Sequence, residues 1–127
     1  MTRFDAATEE TRRGLFADAI RAHEERRSPF LTIEAAVPNE DQQPWVQFAD
    51  GLVNLDCTDA ELGRVKTLLD DYPEFRIDDL ERPEDAEGTN VRIAARADPE
   101  RVAGFLDRIF AEVYEHPADY RAWVAAV

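Results

Sequence analysis

Cys57 is the residue best placed to act as a nucleophile in this chain of 127 residues. Thr58 and the start of a helix follow it at once, and a helix N-terminus lowers a thiol pKa. Strand parity, argued below, instead puts Cys57 on a core-facing position, which predicts a small buried hydrophobe. The two histidines, His23 and His116, have no neighbour at metal-ligand spacing, so no H-x-x-x-H pair exists. His23 falls on the apolar stripe of a helix and reads as structural. His116 falls at a helix end, where an imidazolium favours the negative end of the dipole. Asp78-Asp79 and the Glu84-Asp85-Glu87 loop lack the spaced oxygen ligands and glycine turn of a calcium loop. They read as solvated acidic segments. The five glycines stand singly, at Gly14, Gly51, Gly63, Gly88 and Gly104, so there is no phosphate-cradling loop. The expectation is a chain with no catalytic residue, no cofactor and no metal.

What remains is a surface. Residues 44–57, PWVQFADGLVNLDC, carry Asp50-Gly51 between two runs of strand formers, the signature of a two-residue hairpin. With that turn, Ala49 faces Leu52, Phe48 faces Val53, Gln47 faces Asn54, Val46 faces Leu55 and Trp45 faces Asp56. One face then holds Val46, Phe48, Val53, Leu55 and Cys57, all apolar. The other holds Trp45, Gln47, Ala49, Leu52, Asn54 and Asp56. A slip of one residue would mix the two sets, so turn and pattern specify one register. Trp45, Ala49 and Leu52 are the apolar exceptions on the polar face and form the candidate interaction surface, since tryptophan is enriched at interface centres. Two other covers compete for that strip: the N-terminal arm around Phe4, and a last helix carrying Tyr120 and Trp123.

The elements around the hairpin follow from period and punctuation. Thr2 or Asp5 caps a first helix whose stripe is Leu15, Phe16, Ala19, Ile20 and His23, with Glu9, Glu10, Arg12, Arg13, Glu24 and Glu25 outside it. Ser28-Pro29 ends it. Residues 30–37 form a strand with Leu31, Ile33, Ala35 and Val37 inward, and 38–44 a polar loop. Thr58 caps a second helix with Glu61 in a capping box, burying Leu62, Val65, Leu68 and Leu69. Residues 74–80 form a strand with Phe75 and Ile77 inward, and 81–88 an acidic loop. Residues 90–97 form another strand, with Val91, Ile93 and Ala95 inward and Arg92 and Arg96 outward. Asp98-Pro99 starts a third helix with the stripe Val102, Phe105, Leu106, Ile109, Phe110 and Val113. His116-Pro117 breaks it, and 118–127 form a short last helix with Tyr120, Trp123, Val124 and Val127. Helix, three strands, helix, two strands, helix, short helix: this is a single α+β domain, with helices packed on one antiparallel sheet.

Composition sets the habitat. Acidic residues number 28 against 15 basic ones, a net charge of −13, and Lys66 is the sole lysine. Acid-rich, lysine-poor, arginine-retaining composition resembles that of proteins from salt-accumulating halophiles such as the haloarchaea. In molar salt the Debye length falls to about 3 Å, so crowded carboxylates repel little and keep the surface hydrated. The charge disfavours nucleic acid, which needs a basic surface, although Arg92, Arg96 and Arg101 make a small arginine patch. No apolar run reaches the roughly 20 residues of a membrane helix, and the N-terminus has no apolar signal core. One cysteine rules out an internal disulfide. The expected location is the cytoplasm.

The order of elements, with the Trp45-Val46-Gln47-Phe48-Ala49 strand entering the Asp50-Gly51 turn, resembles the type III secretion chaperone-like fold, which includes bacterial YbjN-type and actinobacterial TY-Chap domains. The likeness covers about residues 15–114. It implies no catalytic residues and a homodimer or protein-binding, chaperone-like role. The expected function is therefore non-enzymatic protein interaction, with a partner protein or with itself. The alternatives are a small-molecule-binding or sensory module between sheet and helices, and a nucleic-acid-associated regulator working through the outward arginines.

Overall fold

In the computed structural model, Asp50 and Gly51 take φ of 51° and 77°, the doubly positive turn that keeps a hairpin's twist. They join β3 (Trp45–Ala49) to β4 (Leu52–Cys57), with Val46 opposite Leu55, Phe48 opposite Val53 and Ala49 opposite Leu52. This is the register deduced from the sequence. The structure describes residues 5–27, 30–36, 44–82, 84 and 88–125. Thr2, the arm around Phe4, the Ser28-Pro29 break, Val37, residues 38–43 of the polar loop, Asp85, Glu87 and Val127 lie outside the described residues.

The remaining elements are β1 (Asp5–Ala6), α1 (Glu9–Arg26), β2 (Leu31–Ala35), α2 (Asp59–Leu69), β5 (Arg76–Glu81), β6 (Thr89–Ala94), α3 (Pro99–Arg108) and β7 (Ala122–Ala125). A π-helical turn, Ile109–Val113, continues α3. The strands form one antiparallel sheet in the order β1-β7-β2-β3-β4-β6-β5. Phe16 and Ile20 of α1, Val65 and Leu68 of α2, and Phe105 and Leu106 of α3 join Ile33, Val46, Val53, Leu55 and Ile93 in one core. The fold is α+β, with three helices packed against the sheet. Among the described residues no helix is long and apolar enough to cross a membrane.

Local chemistry explains most starts and stops. Thr58 accepts from the Glu61 amide at 3.2 Å while Glu61 accepts from the Thr58 amide at 2.8 Å, the reciprocal box expected there. Pro99 opens α3, and Asp98 takes the cap position without a side-chain bond. Helix α1 departs from expectation: its cap is Thr8, boxed with Thr11, and Asp5 lies in β1 instead. Phe75 is buried as expected but stands just before β5, which begins at Arg76. β6 ends at Ala94, although Ala95 is buried and donates to the Gly51 carbonyl.

Two expectations are overturned together. Arg12, assigned to the solvent face, is only 2% exposed, and the last segment is a strand where a helix was expected. The Arg12 Nε donates to Asp107 Oδ1 at 2.7 Å, and Nη1 donates to the carbonyls of Ala118 and Tyr120, both at 2.9 Å. The Tyr120 hydroxyl donates to the same Asp107 oxygen at 2.8 Å, and the guanidinium lies 3.8 Å over its ring. Bound to a guanidinium, those carbonyls hold 118–120 in a non-helical path. An isolated ten-residue helix is marginal in any case, and the β2 edge offers a whole ladder: Ile33 pairs with Val124 and Glu34 with Trp123. Tyr120, Trp123 and Val124 thus mimic a helical stripe over a stretch too short to tell period 3.6 from period 2.

Candidate functional site

Strand parity sends alternate residues of each strand to the face opposite the helices. On β2, β3 and β7 this places Trp45, Glu34 and Trp123 in one cross-strand row: Glu34 pairs with Trp45 on one side and Trp123 on the other. The Trp123 indole donates from Nε1 to Glu34 Oε2 at 2.7 Å. Both tryptophans and the glutamate are half-buried. Among the described residues Glu34 has no cationic partner. Asp5 continues the row beyond Trp123 and holds Arg121 by a 2.7 Å ion pair.

Across β4, β6 and β5 the same face is polar. Asn90 donates to Asn54 at 2.6 Å and to Asp56 at 2.9 Å, and Arg92 stands 3.8 Å from Asp79. Between the two halves lies a shallow depression of about 230 Å³, lined by Phe30, Gln47, Ala49, Leu52, Asn54 and Arg92. Phe30, 43% exposed, is one of two large apolar side chains left in solvent among the described residues.

Of the expected surface, the structure brings Ala49 and Leu52 together as partners across the hairpin and sets Trp45 apart, in the row with Glu34. All three are half-buried. The competing cover by a last helix is overturned: the segment does not fold over the strip but joins the sheet as β7 beside β2. Trp123 does reach this face, in the plane of the sheet as a strand residue, while Tyr120 is buried with Asp107. Sequence reasoning missed Glu34 and Trp123. Period-2 reading of 122–125 beside Trp45 is the signal that could have found them.

The other chemical candidates go elsewhere. Cys57 is 2% exposed, and burial, followed by Glu61 and Asp56, pushes its thiol up to about 12. His116 is buried against Phe110 and Tyr120, with Nδ1 3.2 Å from the Tyr114 carbonyl oxygen. His23 is buried edge-on to Phe48, as its stripe predicted. Asp78 and Asp79 are exposed on β5. Among the described residues no group of three His, Cys, Asp or Glu side chains is arranged to hold a metal. The arginine patch does not assemble: Arg92 faces Asp79, Arg101 pairs with Glu74 and stacks on Tyr72, and Arg96 lies over Gly51.

The family described as a family of unknown function, DUF7975, matches residues 1–127. No curated protein and no solved structure matches the chain.

Proposed function

We propose, for a chain that belongs to the DUF7975 family along its whole length, a non-enzymatic protein-interaction role in which the helix-free face captures a basic side chain of a partner protein. The observation that carries this reading is the Trp45–Glu34–Trp123 row. Its outer members are two strand spacings apart, about 9–10 Å, with the Glu34 carboxylate on the strand between them. An arginine or lysine head set there gains a charge-assisted bond and an aromatic face, each worth on the order of 1–2 kcal/mol. Both contacts are short-ranged and persist in salt that screens distant charges.

The occupant is a basic segment rather than a second copy. A second copy would bring the same acidic face, with Glu34, Asp56 and Asp79, into direct contact, where salt screens less than between distant charges. Along β3, Ala49 lies four residues from Trp45, about 13 Å, so an extended segment lays its cation on Glu34 and an apolar side chain in the Phe30–Leu52 depression. The resemblance to the chaperone-like fold supports the same role. The order helix, three strands, helix, two strands, helix runs from α1 to α3, with β1 and β7 added at the margin.

The test uses a decapeptide with arginine and leucine four residues apart, titrated in molar salt against tryptophan emission. Saturable binding that falls about tenfold in Glu34→Gln and again in Trp45→Ala, at unchanged circular dichroism, supports the reading. Binding indifferent to both substitutions removes it. Light scattering that shows a dimer dissolved by Trp45→Ala with Leu52→Ser would put a second copy on the face instead.

A further inference from the structure

A cavity of about 530 Å³ lies on the far side of the hairpin turn from the tryptophan row. The C-terminal turn of α1 supplies His23, Glu24 and Arg27 to it, the hairpin supplies Phe48 and Asp50, and the segment after β6 supplies Arg96. Its volume is in the range of small-molecule sites.

Three observations set this cavity apart. His23 is 5% exposed, and its Nδ1 is buried with no hydrogen-bond partner. A buried polar atom left unpaired costs on the order of 1–3 kcal/mol and calls for a reason. Arg27 and Arg96 have no carboxylate within ion-pair reach among the described residues, although Glu24 and Asp50 line the same space. Elsewhere among the described residues Arg12, Arg64, Arg101, Arg108 and Arg121 are paired, while Arg76 on β5 has no ion pair either. Arg96 also packs close to the turn: a Cβ on Gly51 would stand 2.9 Å from its Cγ and 3.1 Å from its Nη1. Its side chain therefore lies against the turn at the cavity wall, where a residue with a Cβ in place of Gly51 would crowd it.

We infer that this cavity binds a small organic oxyanion, a carboxylate or a phosphate monoester, between the Arg27 and Arg96 guanidinium groups, with its apolar body against Phe48. Planar guanidinium forks match both oxyanions. His23, as the Nδ1–H tautomer, is the donor the interior still has to satisfy. Glu24 and Asp50 balance the two arginines, so the site suits one oxyanion and rejects a polyphosphate. This reading is independent of the tryptophan row and uses none of its residues.

The experiment titrates phenylacetate, phenyl phosphate and triphosphate separately in molar potassium chloride, at constant ionic strength. Arginine Nε–H and histidine ring resonances report binding by NMR. Saturable shifts at Arg27, Arg96 and His23 with phenylacetate or phenyl phosphate are expected, and whichever binds names the headgroup. Arg96→Gln, a change at an exposed side chain, should weaken that binding about tenfold or more, while Trp45→Ala leaves it unchanged. His23→Phe keeps the packing on Phe48 and should weaken it too. No saturable shift with either small oxyanion, triphosphate binding as tightly, or affinity that survives Arg27→Gln and Arg96→Gln overturns the proposal.

Discussion

Arg12 and Asp107 are nearly sequestered from water, and Asp107 also accepts from Tyr120 while Arg12 holds two carbonyls of the chain leading into β7. Removing one partner strands a buried charge, and such losses run to about 3–5 kcal/mol. Asp107→Ala should lower urea stability by that order. Arg12→Met with Asp107→Leu should recover much of it, because no unpaired charge is left. Salt will not rescue the single variant, since a buried pair is poorly screened. Cys57 makes a second residue-level prediction. Its folded thiol stays protonated to about 12, against an ordinary value of 9.0. The unfolded chain ionises first, so this contribution is whole below the unfolded value and is lost as pH climbs toward the folded one. Cys57→Ala should flatten that part of the alkaline slope, measured by denaturant melts between those two values. A native-state thiol reagent should label Cys57 slowly, and rapid labelling would restore the nucleophile reading.

At the scale of elements, the hairpin turn positions both surfaces: the β3 side chains on the outer face and Arg96 over Gly51 on the other side. Gly51 has φ of 77°, where a Cβ is strained, and the substituent would also meet Arg96. Gly51→Ala should cost about 1–3 kcal/mol. In an Arg96→Ala background the steric part disappears and the backbone part stays, so the two costs separate in a double-mutant cycle. Asp50, at φ of 51°, tolerates the left-handed region better than most residues, which is why Asp-Gly suits this turn. β7 depends less on its own residues than on its neighbours. It sits between β1 and β2, and its approach is fixed by Arg12, so it forms where the ladder is offered.

The whole molecule carries a net charge of −13, and most of its ion pairs are exposed. Exposed pairs contribute little each, so they do not offset the repulsion when screening is withdrawn. Lowering salt from molar to ~0.05 M should destabilise the fold by a few kcal/mol. A melting temperature that does not move over that range would remove the salt-adaptation argument. At low salt the same repulsion disfavours self-association.

Legibility divides along contact range. The hairpin and its register, the Thr58 cap, the α3 stripe and the core position of Cys57 were readable because each depends on groups a few residues apart: turn φ, alternation, a side chain reaching its own third amide. On that local grammar alone the sequence determines an α+β chain with one antiparallel sheet and the polar face that holds Trp45, Ala49 and Leu52. The Glu34–Trp123 bond joins residues 89 apart, and the Arg12–Asp107 bond residues 95 apart. Nothing local marks Arg12 as buried or 122–125 as a strand, because a guanidinium can enter a core only where a distant carboxylate meets it. A four-residue segment, likewise, takes the period of the edge it finds. The tertiary structure therefore decided the seventh strand, the tryptophan pair around Glu34, and the cavity that His23, Arg27 and Arg96 line together.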